Sequence, residues 1–316
     1  MYWSYSILHY HSFFFLFNKQ PSLLFSILFL FLFLFITITV FTTPQVAYSL
    51  YFGDTINIIE SNKSFLLSSP QLAATEGGNV YVVWIDKNIL YFKSSHDNGS
   101  KFNTPIILSK NVNLTSSPQL AATEGGNVYA VWVDKKNNSK YGGDTDIAFK
   151  WSKDAGKTFS SKKLSRGFSA SSLSPQLAAT EGGNVYAVWV DKKNNSTYGG
   201  DTDIAFKWSK DAGKTFSSKK LSRGLNASSL SPQLAATEGG NVYVIWSNNQ
   251  TNFKEILGNN AIFGETIKIS NNTDSAYPQL AATEDGNVYI LWVANKHNTD
   301  TVKVLYFKRI SNFLFD

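Results

Sequence analysis

After residue 50 the chain alternates apolar and polar positions with a period of two, the mark of half-buried strands, and nothing there carries a helical period. The alternation is itself repeated. The string P-Q-L-A-A-T-E begins at Pro70, Pro118, Pro175, Pro232 and Pro278, at spacings of 46 to 57 residues. Each copy runs on into G-N-V-Y and reaches a tryptophan at Trp84, Trp132, Trp189, Trp246 or Trp292. A unit of this size cannot bury both faces of its own sheet, so it must stack on copies of itself. Each unit predicts four strands. Strand A is P-Q-L-A-A-T; a Glu-Gly-Gly-Asn turn follows, with residues that tolerate positive φ. Strand B is the β-branched and aromatic V-Y-A-V-W, strand C is I-A-F-K-W-S, and strand D is typified by Thr104 to Ser109. Pro105 suits an outermost strand with a free edge.

The expected fold is all-β, a five-bladed β-propeller of four-stranded antiparallel blades over about residues 69–109, 117–165, 174–222, 231–270 and 277–308. The fifth unit lacks a strand D. Gly53 to Ile58 matches Gly264 to Ile269, the strand D of the fourth unit, so strand 54–59 is expected to complete the last blade and close the ring. Closure would leave only short protected edges.

The turn between strands C and D reads S-x-D-x-G-x-x-F in three units: Ser95, Asp97, Gly99, Phe102; Ser152, Asp154, Gly156, Phe159; and Ser209, Asp211, Gly213, Phe216. The carboxylate can accept backbone N–H groups across the turn, the glycine can take positive φ, and the phenylalanine can pack between sheets. This motif resembles the Asp-box (BNR repeat) of the sialidase-like β-propeller superfamily, and the resemblance spans residues 54 to 308. Gly258 to Phe263 keeps the glycine and an aromatic but no aspartate, and the fifth unit has no box.

The first 49 residues read as a signal peptide or signal anchor, and residues 50–316 as the propeller. Leu23 to Phe41 is an apolar run broken only by Ser26, Thr37 and Thr39, expected to be helical. Lys19 precedes it, and Ala47-Tyr48-Ser49 offers small residues for cleavage. Either way the propeller is expected outside the cell, extracellular or membrane-anchored, and eight N-x-[ST] sequons fit a glycosylated surface. The chain has no cysteine, which excludes disulfides, thiolate metal sites and a cysteine nucleophile. The net charge of +6 comes almost wholly from lysines interleaved with aspartates, and only three arginines exist, so a nucleic-acid face is not expected.

The second and third units carry nine extra residues between strands B and C. Repeat insertions on one face often mark a binding face. These loops run from Asp134 to Asp146 and from Asp191 to Asp203. Tyr141 and Tyr198 could stack on a sugar ring, with Asp144 and Asp201 as polar partners. Arg166 and Arg223 sit at equivalent outer-strand ends, and Gln119 and Gln176 come from the strands expected to line the axis. These eight residues are the ligand-binding candidates. The same loops could equally be long hairpins that cover a neighbouring edge. Ca²⁺ is the one ion their aspartates could hold, but they lack regular D-x-D-x-D-G spacing and a bidentate glutamate, so no cofactor is assigned.

The resemblance implies a glycosidase where its catalytic set is present: three arginines on the substrate carboxylate, a tyrosine nucleophile with a glutamate partner, and an aspartate acid/base. Arg166, Arg223 and Arg309 are the only arginines, and they fall on different blades and opposite faces. The repeated acids read as structural. The expected function is therefore a non-catalytic binding or adhesion module, for a glycan or a cell-surface partner. A divergent sialidase-like glycoside hydrolase and a structural surface repeat protein are the alternatives.

Overall fold

The computed structural model describes residues 54–59, 67–114, 116–135, 145–165, 172–192, 202–222, 230–248, 250–258, 261–270, 275–296 and 302–310. It divides the chain into Met1–Thr55 and Ile56–Asp316. The expected N-terminal helix lies outside the described residues, and among those residues no helix is long and apolar enough to cross a membrane.

Five antiparallel sheets follow one another along the chain. Blade 1 is β1 (Leu67–Ala74), β2 (Val80–Asp86), β3 (Ile89–Ser95) and β4 (Ile106–Ser109); blade 2 is β5 (Gln119–Ala122), β6 (Val128–Lys135), β7 (Thr145–Ser152) and β8 (Ser160–Lys163). Blade 3 is β9 (Ser172–Ala179), β10 (Val185–Lys192), β11 (Thr202–Ser209) and β12 (Ser217–Lys220); blade 4 is β13 (Leu230–Ala236), β14 (Val242–Ser247), β15 (Thr251–Leu257) and β16 (Ile262–Lys268). Blade 5 is β17 (Ala276–Ala282), β18 (Val288–Asn295) and β19 (Lys303–Ile310). This is the five-bladed propeller that the repeats predict.

Alternation along each strand sends side chains to two faces, and both are apolar. Tyr81, Val83 and Phe92 of blade 1 face Val128, Ala130 and Trp132 of blade 2 in one continuous core. The same alignment recurs between blades 2 and 3, 3 and 4, and 4 and 5. Hence β6, β10 and β14 are almost wholly buried, which is why their sequence is apolar without alternation.

The turn between the third and fourth strands has the geometry its residues suggested. Ser152 Oγ donates to Asp154 Oδ1 (2.6 Å), the Gly156 N–H donates to Ser152 Oγ (2.9 Å), and the Thr158 N–H donates to Asp154 Oδ1 (2.9 Å). Ser209, Asp211, Gly213 and Thr215 repeat this in blade 3, and Ser95, Asp97, Gly99 and Lys101 repeat it in blade 1. Gly156 and Gly213 have φ of 81° and 85°. A methyl group on Gly156 would lie 2.6 Å from Phe92 of the preceding blade, so glycine here serves both turn and close approach. Phe159 then stands edge-on to Phe92 at 5.0 Å, and Phe216 to Phe149 at 5.3 Å. Phe263 in blade 4 does the same against Phe206 although its turn has lost the aspartate.

The repeated glutamates have a role that strand patterns do not reveal. Glu124 accepts the N–H groups of Glu76 and Gly77, Glu181 accepts that of Glu124, Glu238 that of Glu181, and Glu284 that of Glu238. Each blade thus staples the A–B turn of the blade before it.

The expected ring closure is corrected. Residues 54–59 form no strand, and blade 5 has three strands. The Lys93 Nζ of β3 donates to Ile58 O at 2.5 Å, so this segment rests against blade 1. Its match to the fourth unit's last strand reports alternation, and alternation suits any half-buried edge without choosing which one.

Candidate functional site

The aspartates that open and close the two long B–C loops are brought together. Asp134 ends the inner part of β6, Asp146 begins β7, and hairpin register sets them directly opposite one another. Directly opposed residues project from the same face of a sheet. Asp191 of β10 and Asp203 of β11 form the same pair in blade 3. The tripeptides V-D-K and T-D-I supply these positions because each strand spends its β-branched residues on the core and turns polar at the loop.

The two members of a pair have different surroundings. Asp146 is buried, and the Lys163 Nζ from β8 donates to its Oδ2 at 3.0 Å. Asp203 is likewise buried and bound by Lys220 at 2.8 Å. Asp134 is half-buried and takes two hydrogen bonds on Oδ1: from Trp132 Nε1 at 2.6 Å and from Ser109 Oγ of blade 1 at 2.8 Å. Burial raises the Asp134 carboxyl above the ordinary aspartate value, outweighing the downward pull of Trp132, Ser109 and Lys163, and the Asp146 charge adds to the rise. Asp191 receives Trp189 Nε1 at 2.7 Å and Ser172 Oγ at 2.8 Å. Asp134, pushed toward its acid form and set opposite a lysine-paired carboxylate, is the group placed to donate a proton.

The aspartates also complete the core. Trp246 and Trp292, at the same place in blades 4 and 5, have no partner for Nε1. Neither blade carries an aspartate two residues after its tryptophan.

Of the candidates from sequence, Tyr141, Tyr198, Asp144, Asp201, Arg166 and Arg223 lie outside the described residues. Gln119 and Gln176 are half-buried at matching places on β5 and β9, opposite Val131 and Val188. Among the described residues no cluster of three metal-ligating side chains exists. Arg309 binds Asn287 Oδ1 (2.9 Å) beside an A–B turn, at the opposite end from the long loops. The strand B tyrosines of blades 1 to 4 are core: burial pushes Tyr129 up to about 12, with Glu181 adding to it, so it holds its proton at neutral pH. The loop aspartates were visible in the sequence as ends of an insertion. Their pairing was not, because it depends on strand register.

No family profile and no curated protein matches the sequence. Solved structures do. An ulvan lyase from a new polysaccharide lyase family superposes with a TM-score of 0.54 at 11% identity, over 76% of this chain and 68% of that one. The polysaccharide lyase Uly1 gives 0.52 at 11% identity, over 78% of this chain and 58% of that one. An α-L-arabinanase of Penicillium chrysogenum complexed with arabinobiose gives 0.48 at 14%, over 78% and 81%. At such identities the likeness establishes the propeller fold. The non-catalytic binding or adhesion module expected from the sequence is corrected here: the solved structures that resemble the chain at TM-scores of 0.52 and 0.54 are polysaccharide lyases.

Proposed function

We propose that this chain is a divergent carbohydrate-active enzyme that cleaves glycosidic bonds at the end of the propeller bearing the B–C loops. The observation that carries the reading is the Asp134–Asp146 pair, in which burial favours the acid form of Asp134 while Lys163 pairs with Asp146. Asp134 is the proton donor to the leaving oxygen, and Asp146, too buried to touch substrate, fixes Lys163 beside it. The Asp191–Asp203 pair repeats the register and the lysine contact in blade 3.

Two further features support a glycan substrate. The neighbouring propellers include polysaccharide lyases, at TM-scores of 0.52 and 0.54. The S-x-D-x-G-x-x-F turns read as Asp-boxes of the sialidase-like type. Sialic acid itself is disfavoured as substrate, because three arginines scattered over the chain supply no carboxylate clamp. The apolar run 23–41 would carry the propeller out of the cell, where such polymers occur.

The test is release of reducing ends from arabinan, ulvan and other polysaccharides. Asp134→Asn should lower turnover by about 10²-fold or more with a native fold by circular dichroism. Activity should fall as pH rises above the ordinary aspartate range, since the donor form of Asp134 is lost there. Product with new ultraviolet absorbance would indicate elimination and sink the hydrolytic assignment. Cleavage unchanged in the Asp134→Asn, Asp191→Asn double variant would remove the aspartates from the chemistry.

A further inference from the structure

The third strand of blades 1 to 4 carries a phenylalanine that is at most 3% exposed, whereas its counterpart in blade 5, Phe307, is 65% exposed and Leu305 beside it 62%. Hairpin register sets Phe307 opposite Leu291 and Leu305 opposite Val293, and Gln279 opposite Leu291 on its other side. Directly opposed residues share a face, so the outer face of blade 5 is an apolar field. Charge brackets it. Arg309 stands opposite Tyr289 and Lys303 opposite Asn295, so β19 presents Lys303, Leu305, Phe307 and Arg309 in one row on that face. Arg309 binds the neutral Asn287 amide and keeps its charge. No acid occurs in β17, β18 or β19. The outer strands of blades 2 and 3 differ, since Lys163 answers Asp146 and Lys220 answers Asp203.

We propose that the outer face of blade 5 rests on an anionic phospholipid surface. Leu305 and Phe307 would enter the boundary between headgroups and acyl chains, while Lys303 and Arg309 meet headgroup phosphates on either side. Charge and coverage decide among the occupants. Blade 1 offers no mate, because Val82 and Trp84 on its outer face are buried and the segment at Ile58 rests there on Lys93. A second blade 5 brought up by a two-fold axis would set the cationic row against itself. A protein strand added to the edge of β19 would meet Lys303, Lys308 and Arg309, and charges of this kind guard an edge against pairing. A fluid anionic surface accepts the same cations with no register to satisfy, each being worth roughly fivefold in partitioning. The aspartate pairs of blades 3 and 2 lie two and three junctions away, so docking leaves them clear.

The chain has no cysteine, so a fluorophore can be placed at one chosen position. Full-length Gln279→Cys is labelled and reconstituted in phosphatidylcholine vesicles with and without phosphatidylserine, and read by lipids that carry a quencher on the acyl chain. Gln279 is exposed at the edge of the apolar field. Full-length Ser160→Cys, on the exposed outer strand of blade 2, reports what tethering through the N-terminal run does by itself. The expected result is strong quenching at position 279 that needs phosphatidylserine, and little at position 160. Adding Phe307→Asp, or Lys303→Gln with Arg309→Gln, should cut that quenching roughly tenfold or more; these side chains are exposed, and circular dichroism should stay native. Equal quenching at the two positions overturns the proposal, because tethering alone would explain it. Quenching indifferent to phosphatidylserine or to the added variants overturns it too, as does no quenching at 279. A label at 279 already shielded from aqueous iodide on phosphatidylcholine vesicles alone would mean that protein covers the face, which also overturns it.

Discussion

Blades 3 and 5 share the P-Q-L-A-A-T-E string, the V-Y turn and the strand B tryptophan, yet they sit in different physical environments. In blade 3 every residue of β10 from Val185 to Val190 is buried, because blades 2 and 4 cover both faces. In blade 5 burial alternates along β18, since only the face toward blade 4 is covered. A repeat sequence therefore states what a blade can bury. Whether it does so depends on having neighbours on both sides, as in any stacked array.

The comparison can be broken most sharply at the shared phenylalanine. Phe149→Ala should cost about 3–5 kcal/mol in chemical denaturation, because two sheets pack on that ring. Phe307→Ala at low concentration should stay within about 0.5 kcal/mol. Equal losses would show that blade 5 is covered in solution.

The turn glycines give a smaller contrast. Gly156→Ala combines a left-handed backbone with a clash against Phe92 and should cost about 2–4 kcal/mol. Gly99→Ala shares the backbone term alone, about 1–2 kcal/mol. Melting temperatures of the two variants decide it.

The glutamate staple should matter less, since these groups are exposed. Glu181→Ala removes the acceptor of the Glu124 N–H and should cost about 1 kcal/mol, while Glu76→Ala in the dilute chain should cost almost nothing.

The smallest effect is a pH signature. The Ser152 hydroxyl, followed by Thr158, holds the Asp154 carboxyl down at about 2, against an ordinary value of 3.8. A depressed value means that stability is fully present above the ordinary value and is lost as pH falls from about 4 through 2. Asp154→Asn should flatten that acid limb of a stability-versus-pH curve and leave the neutral limb sloped as before.

Sequence alone settled a good deal: the number of blades, the four-strand unit, the turn geometry around Asp97, Asp154 and Asp211, and the burial of the repeated Trp and of the repeated Tyr in blades 1 to 4, Tyr289 of blade 5 being only half-buried. These follow from local patterns whose physics is confined to one unit and its copy. Its failures share a cause. The strand expected at 54–59 rested on alternation, which does not name a partner edge. The role of Glu124, Glu181, Glu238 and Glu284 spans two blades. The pairing of Asp134 with Asp146 needs register across a loop, and the bias of Asp134 toward its acid form needs burial against blade 1. Each was decided by which surfaces meet in three dimensions. Apolar burial is non-directional, so a sequence pattern declares a face sticky while leaving its partner to be chosen by the assembled sheets.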